Sequence, residues 1–133
     1  MSKQIINTSN APAPIGPYNQ SVKAGNLLFI SGQIALVPGS GELLTASLEE
    51  ETHQVMKNLQ AILTEAGANF GNVVKTNIYL SDMSLFAAVN DVYGQYFTAD
   101  MPGSETSYPA RETVAVKTLP KNVNVEISVI ASL

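Results

Sequence analysis

The stretch Ser47-Leu-Glu-Glu-Glu-Thr-His-Gln-Val-Met-Lys-Asn-Leu-Gln-Ala-Ile-Leu-Thr-Glu-Ala-Gly67, and shortly after it Val73-Val-Lys-Thr-Asn-Ile-Tyr-Leu80, decide the fold class. In the first, Leu48, Val55, Leu59, Ile62 and Ala66 recur at helical spacing, so one face of a helix is apolar. Ser47 and Glu50 form a capping-box pattern at its start, and Gly67 ends it. In the second, apolar and polar residues alternate, which predicts a strand. A helix is thus followed by a strand.

Reading outward toward the C-terminus, Ser81-Asp82 caps a second helix with the stripe Leu85, Val89, Val92 and Tyr96. Two further strands follow, at about Glu112–Lys117 and Val123–Ala131. Toward the N-terminus lie a turn, Val37-Pro-Gly-Ser-Gly41, and two strands, Leu27–Ile34 and Ser21–Ala24, joined by the tight turn Gly25-Asn26. Ser9–Tyr18 carries three prolines and a glycine, so it reads as an ordered loop, and Gln4–Asn7 as a short strand before it. The order predicts an α+β fold in which two helices pack on one face of a mixed β-sheet, as a single domain over residues 1–133.

That arrangement leaves the second sheet face uncovered. In Leu27–Ile34 the side chains of Leu28, Ile30 and Ile34 point one way and Leu27 and Phe29 the other, so neither face reads as solvated. The second face is covered either by loops of the same chain or by a partner subunit, and an oligomer is the expectation. Its test is the solution mass.

The composition removes several classes of function. The net charge is −4 and the lysines are scattered, so the basic stripe that a phosphate backbone needs is missing, and nucleic-acid binding is not expected. There is no cysteine, hence no thiolate nucleophile and no cysteine metal site. No window approaches the roughly 20 apolar residues of a membrane span, and Met1-Ser2-Lys3-Gln4 leads into no signal-peptide core; the expected compartment is the cytosol. His53 is the only histidine, so a metal centre is not expected, and neither a nucleophile elbow nor a phosphate-cradling glycine loop is present.

Four places remain as candidates. Arg111, the only arginine, follows Tyr108-Pro109-Ala110; its planar fork suits a carboxylate through two parallel hydrogen bonds, and equally an ion pair with Glu105 or another acid. Glu126 alternates with Val125 and Ile127, so it faces either solvent or a polar pocket, where a carboxylate would accept a proton from water. Ser31-Gly32-Gln33 interrupts an apolar strand, either as a bulge or as a place where a ligand or backbone approaches closely. Ile15-Gly16-Pro17-Tyr18 holds the Tyr18 ring on a stiff loop.

Ile15-Gly16-Pro17-Tyr18, Ile30-Ser31-Gly32-Gln33-Ile34, Asn90, Tyr108-Pro109-Ala110-Arg111 and Leu119-Pro120 with Val125-Glu126-Ile127 together resemble the Rid (YjgF-type) family, in order and over nearly the whole chain. The resemblance implies a chorismate-mutase-like fold, a homotrimer with sites between subunits, no metal and no cofactor. It implies 2-iminobutanoate/2-iminopropanoate deaminase activity on imines released by pyridoxal-phosphate enzymes. It also implies roles: Arg111 clamps the substrate carboxylate, Glu126 activates water, Ser31 and the Gly32 backbone contact substrate, Tyr18 closes the pocket and Asn90 supports it.

Glu112 and Thr113 depart from the family pattern after the arginine. Alternation should aim Glu112 away from Arg111, whereas a Glu112 folded back would compete with substrate. Thr113 keeps a modest size beside the substrate but allows no thiol chemistry. The loop 99–107 is longer than in relatives, which bears on the cleft entrance. The other class of function is a non-catalytic trimer that binds small 2-keto acids or acts in a chaperone-like way; Glu126 discriminates, because a sensor of carboxylates needs no base. Endoribonuclease activity, attributed to some relatives, sits poorly with the acidic balance.

Overall fold

A computed structural model describes residues 2–97 and 107–133. The strands β1 (Gln4–Ile6), β2 (Ser21–Ala24), β3 (Leu27–Gln33), β4 (Val73–Leu80), β5 (Ala110–Ala115) and β6 (Val125–Ser132) form one sheet in the order β1-β2-β3-β6-β4-β5. β4 and β5 run parallel and the other neighbours antiparallel, so the sheet is mixed as expected. Helices α1 (Leu48–Glu65) and α2 (Phe86–Tyr93) contribute Val55, Met56, Leu59, Ile62, Leu63, Val89 and Tyr93 to a core shared with Leu28, Ile30, Ile78, Val125, Ile127 and Val129. Both helices therefore cover one face. No helix among the described residues is long and apolar enough to cross a membrane.

The local signals act as the sequence predicts, with shifts at element ends. Ser47 Oγ accepts from the Glu50 amide at 3.1 Å and starts α1. Gly25 takes a positive φ of 61° in the turn that joins β2 to β3, a conformation that costs glycine nothing. Asp82 caps the 3-10 turn Met83–Leu85 rather than α2 directly, while Ser81 bonds Asn124, so the helix begins later than predicted. β5 starts at Ala110, earlier than predicted, because the parallel ladder to β4 already engages Ala110 opposite Lys75.

One side chain lies on the face opposite to the prediction. A simple alternation groups Ile34 with Leu28 and Ile30, but the β3–β6 register shifts between Ile30 and Gln33. The bulge inserts an odd residue and reverses the facing of the residues beyond it. Ile34 consequently packs in a second cluster with Leu36, Leu119, Val123 and Tyr79. Asn58, buried in α1, donates to the Ile34 carbonyl at 3.1 Å and the Leu36 carbonyl at 2.9 Å, which fixes the chain after the bulge.

Among the described residues the far face is covered only at the end where Ile34, Leu36, Leu119 and Val123 pack with Tyr79; elsewhere Leu27 and Phe29 are 37% and 42% exposed and Val114 47%. Loops of the described chain do not shield them. The lengthened loop read at 99–107 lies outside the described residues apart from Ser107, as does Glu105.

The Asn58 bonds make a stability prediction. Asn58→Ala leaves the Leu36 carbonyl without a donor and the Ile34 carbonyl with only the Leu36 amide, and should cost about 1–3 kcal/mol. Urea denaturation measures it; a change under about 0.5 kcal/mol would mean that the carbonyls find other partners.

Candidate active site

Strand pairing fixes where each candidate side chain points, because residues paired across a ladder share a face. Glu126 sits opposite Tyr79, on the uncovered face. Arg111 sits opposite Thr76 and Thr113 opposite Ile78, and both of those partners are buried beneath the helices. Within one chain, then, Arg111 and Glu126 lie on opposite faces of the sheet. The shared cleft that the resemblance implies was expected between subunits, and the described residues of one protomer do not by themselves form it.

The Glu126 side has a built seat. The β3 bulge brings the Gly32 backbone over the carboxylate so closely that a Cβ on residue 32 would collide with it and lie 2.9 Å from Glu126 Cδ. The close approach foreseen at Gly32 is made by the glutamate itself, and only glycine leaves room for it. Around this seat is a small cavity of about 60 Å³ lined by Tyr18, Gln20, Gly32, Ile34, Leu36 and Glu126 among others. Burial pushes the Glu126 carboxyl above its ordinary value.

Ser31 is not part of that lining. Its hydroxyl donates to the Asn19 carbonyl at 2.6 Å and its amide to the Gln20 carbonyl at 2.9 Å, so it ties the loop carrying Tyr18 to the strand. Tyr18 is exposed, its Oη accepting from the Ile15 amide at 3.3 Å. Gln20, buried, does more of the fastening: its Nε2 faces the carbonyls of Thr8, Ala11 and Pro12 at 2.9, 3.2 and 2.9 Å.

On the other side, Arg111 opens onto a cavity of about 310 Å³ with Asn90, Tyr93, Gly94, Tyr108 and Pro109. The guanidinium carbon lies 5.1 Å from the centre of the Tyr93 ring and 5.6 Å from that of Phe86, a cation–π arrangement that holds the fork without consuming its N–H donors. Burial raises the Tyr93 phenol, against the opposing pull of its hydrogen bond to Thr76 and of the Arg111 charge, so the ring stays neutral. Glu112 points to the other face and pairs with Lys75 at 3.1 Å; among the described residues no carboxylate pairs with Arg111. Thr113, on the Arg111 face, has a buried hydroxyl oxygen without a hydrogen-bond partner among the described residues. His53 bonds Tyr96 Oη through Nδ1 at 2.8 Å.

Three contributors were not singled out from the sequence. Phe86 begins α2 beneath Arg111, Gln20 organises the proline-rich loop, and Glu51 is fully buried with its carboxylate on the entry to β6. For Glu51 a signal existed: it falls three residues after Leu48 and four before Val55, on the apolar stripe, where a charge requires partners. Gln20 and Phe86 gave no comparable signal, since both depend on contacts distant in sequence.

The raised carboxyl makes a prediction about stability. Between the unfolded and the folded values of Glu126 the folded chain binds more protons than the unfolded one, so folding weakens as pH rises through that window. Glu126→Gln removes the titration; its stability relative to the parent should increase as pH rises from about 4 to about 7 and level off at the acid end. Urea denaturation across that range measures the difference, and a gap that stays constant or closes with rising pH would contradict a desolvated carboxylate.

The model of the family described as Endoribonuclease L-PSP matches residues 8–133. A RutC family protein of Pyrococcus horikoshii is 47% identical over 129 residues, covering 97% of either chain. The 2-iminobutanoate/2-iminopropanoate deaminase of Capra hircus is 45% identical over 129 residues, 97% of this chain and 89% of that one. Among solved structures, the Rid family protein YyfA of Yersinia pestis superposes with a TM-score of 0.91 at 41% identity, covering 99% of this chain and all of the other. With a family model and relatives spanning nearly its full length, the chain belongs to the Rid (YjgF-type) family.

Proposed function

We propose that this protein hydrolyses short 2-imino acids, 2-iminobutanoate and 2-iminopropanoate among them, to 2-keto acids and ammonia, in a homotrimer whose sites lie between neighbouring subunits. The observation that carries the reading is the division of one chemical toolkit between the two faces: a caged arginine with an open approach on one, and a desolvated carboxylate under a glycine on the other. Neither half suffices alone. An edge-strand site apposed to the uncovered face of the next copy unites them, and burying Leu27 and Phe29 there supplies apolar driving force. Relatives with the deaminase name support the substrate class.

In this reading the substrate carboxylate lies in the Arg111 fork, and two parallel hydrogen bonds fix the imine carbon toward the Glu126 of the next subunit. Glu126 accepts a proton from a water molecule as its oxygen bonds to that carbon and the C=N electron pair moves to nitrogen. Because burial raises the Glu126 carboxyl, the carboxylate is a better base than an exposed one. Returning that proton to nitrogen gives the carbinolamine; Glu126 then takes the hydroxyl proton and passes it to nitrogen as the C–N bond breaks and the C=O bond forms, releasing ammonia. The reaction acts on an electrophile already present, so orientation and one proton relay suffice. No metal or organic cofactor enters the scheme, the setting is the cytosol, and nucleic acid is not a ligand. Thr113 and Asn90 border the carboxylate side, Tyr18 and Gly32 the water side.

The test is complementation. With imine generated by threonine dehydratase, Arg111→Ala and Glu126→Gln should each lower kcat/KM by ~100-fold or more. When the two variants are co-refolded in equal amounts, random trimers pair one intact Arg111 with one intact Glu126 at about a quarter of their sites, and about that share of activity should return. No recovery would place both residues in one subunit's site. Turnover absent in the parent protein, with 2-ketobutyrate still bound, would favour the binding role instead.

A further inference from the structure

Glu51 has no place in that scheme, yet it is a fully buried carboxylate at the first turn of α1. Its Oε2 accepts from the amides of Asn124 at 2.7 Å and Val125 at 3.2 Å, and its Oε1 from Asn124 Nδ2 at 2.8 Å. These amides immediately precede Glu126. The β3–β6 ladder resumes after the bulge with Gln33 facing Ile127 and stops there with the end of β3, so Val125 has no β3 partner. Glu51 supplies an acceptor where the ladder fails.

The opposite edge of the same segment is held through Asn124. Its carbonyl accepts from the Ser81 amide at 3.0 Å and its Oδ1 from Ser81 Oγ at 3.2 Å. Just before it, Lys121 and Asn122 both adopt left-handed backbone conformations, with φ of 55° and 56°. Non-glycine residues in that region cost free energy and persist only where the surrounding structure holds them. Glu51 and Ser81 hold the segment that follows from two sides.

We propose that Glu51 is a positioning residue for Glu126: by holding the amides of Asn124 and Val125 it fixes the entry of β6 so that the Glu126 carboxylate seats beneath Gly32. The inference rests on reading Glu126 as the water-activating base. The seat tolerates little movement, since the Gly32 backbone is packed directly on the carboxylate, and a displacement of about 1 Å at a reacting group can cost on the order of 100-fold in rate. Arg111 lies on the other sheet face and belongs to a different strand, so Glu51 acts on the water side and leaves carboxylate binding untouched.

The experiment exchanges the amide and the carboxylate. Glu51→Gln sets a second N–H donor against Asn124 Nδ2, whereas Glu51→Gln combined with Asn124→Asp restores one carboxylate facing one amide. Three quantities are read in each protein: kcat for imine hydrolysis, the dissociation constant of 2-ketobutyrate, and the ¹³C NMR titration of the Glu126 carboxyl, whose cavity lining has Tyr18 as the only other titratable group among the described residues. Glu51→Gln should lower kcat by about tenfold or more with the keto-acid constant unchanged, and the paired exchange should recover most of it. The Glu126 midpoint should fall toward its ordinary value in the single variant and return in the double.

A destabilised Glu51→Gln protein with unaltered kcat and titration would reduce Glu51 to a structural role and overturn the proposal, as would a loss that the double variant fails to repair. If the parent protein hydrolyses no imine, the functional reading fails by itself. The titration then still decides whether Glu51 governs the Glu126 seat.

Discussion

The alternation of a pleated strand is the constraint on which the division of the site depends. β6 and β5 flank β4, and the ladders that join them put Glu126 beside Tyr79 and Arg111 beside Thr76. Since Tyr79 and Thr76 point to opposite sides, no side-chain rotation brings the two charged groups together within one sheet. A protein that uses both for one reaction must set the edge of one sheet against the open face of another. The exposed Leu27 and Phe29 on that face give such contact an apolar basis.

Each half is pre-arranged in its own way. Arg111 is steadied by the faces of Tyr93 and Phe86, which attract the cation while leaving its N–H edges available. Glu126 is steadied by packing: the glycine at the bulge lets backbone cover one side of the carboxylate. Desolvation then raises its proton affinity above that of an exposed carboxylate. The bulge thus has two effects, since it also diverts Ile34 and Leu36 into the wall of the same cavity.

Much of this was legible in the residues. The period of α1, the alternation of β4 and the Gly25-Asn26 turn gave the element order, and Leu27 and Phe29 revealed a face that one chain leaves bare. Arg111 and Glu126 stood out by residue type and by recurring family segments. What could not be read was their division between faces, because strand order and parallel or antiparallel pairing are set by contacts far apart in sequence. Ile34 was misassigned for a related reason: an inserted residue at Ser31-Gly32 reverses facing without altering the apolar pattern. Ser31 proved to tie down the Tyr18 loop, a task that depends on the Asn19 carbonyl and leaves no trace in local spacing.

A crystal structure of the assembled protein with 2-ketobutyrate bound tests the central claim most directly. One ligand should bridge two subunits, its carboxylate in the Arg111 fork of one and its carbonyl carbon facing the Glu126 carboxylate of the other. A ligand held wholly within the residues of one subunit, or an assembly in which the two cavities open to separate solvent, would contradict it.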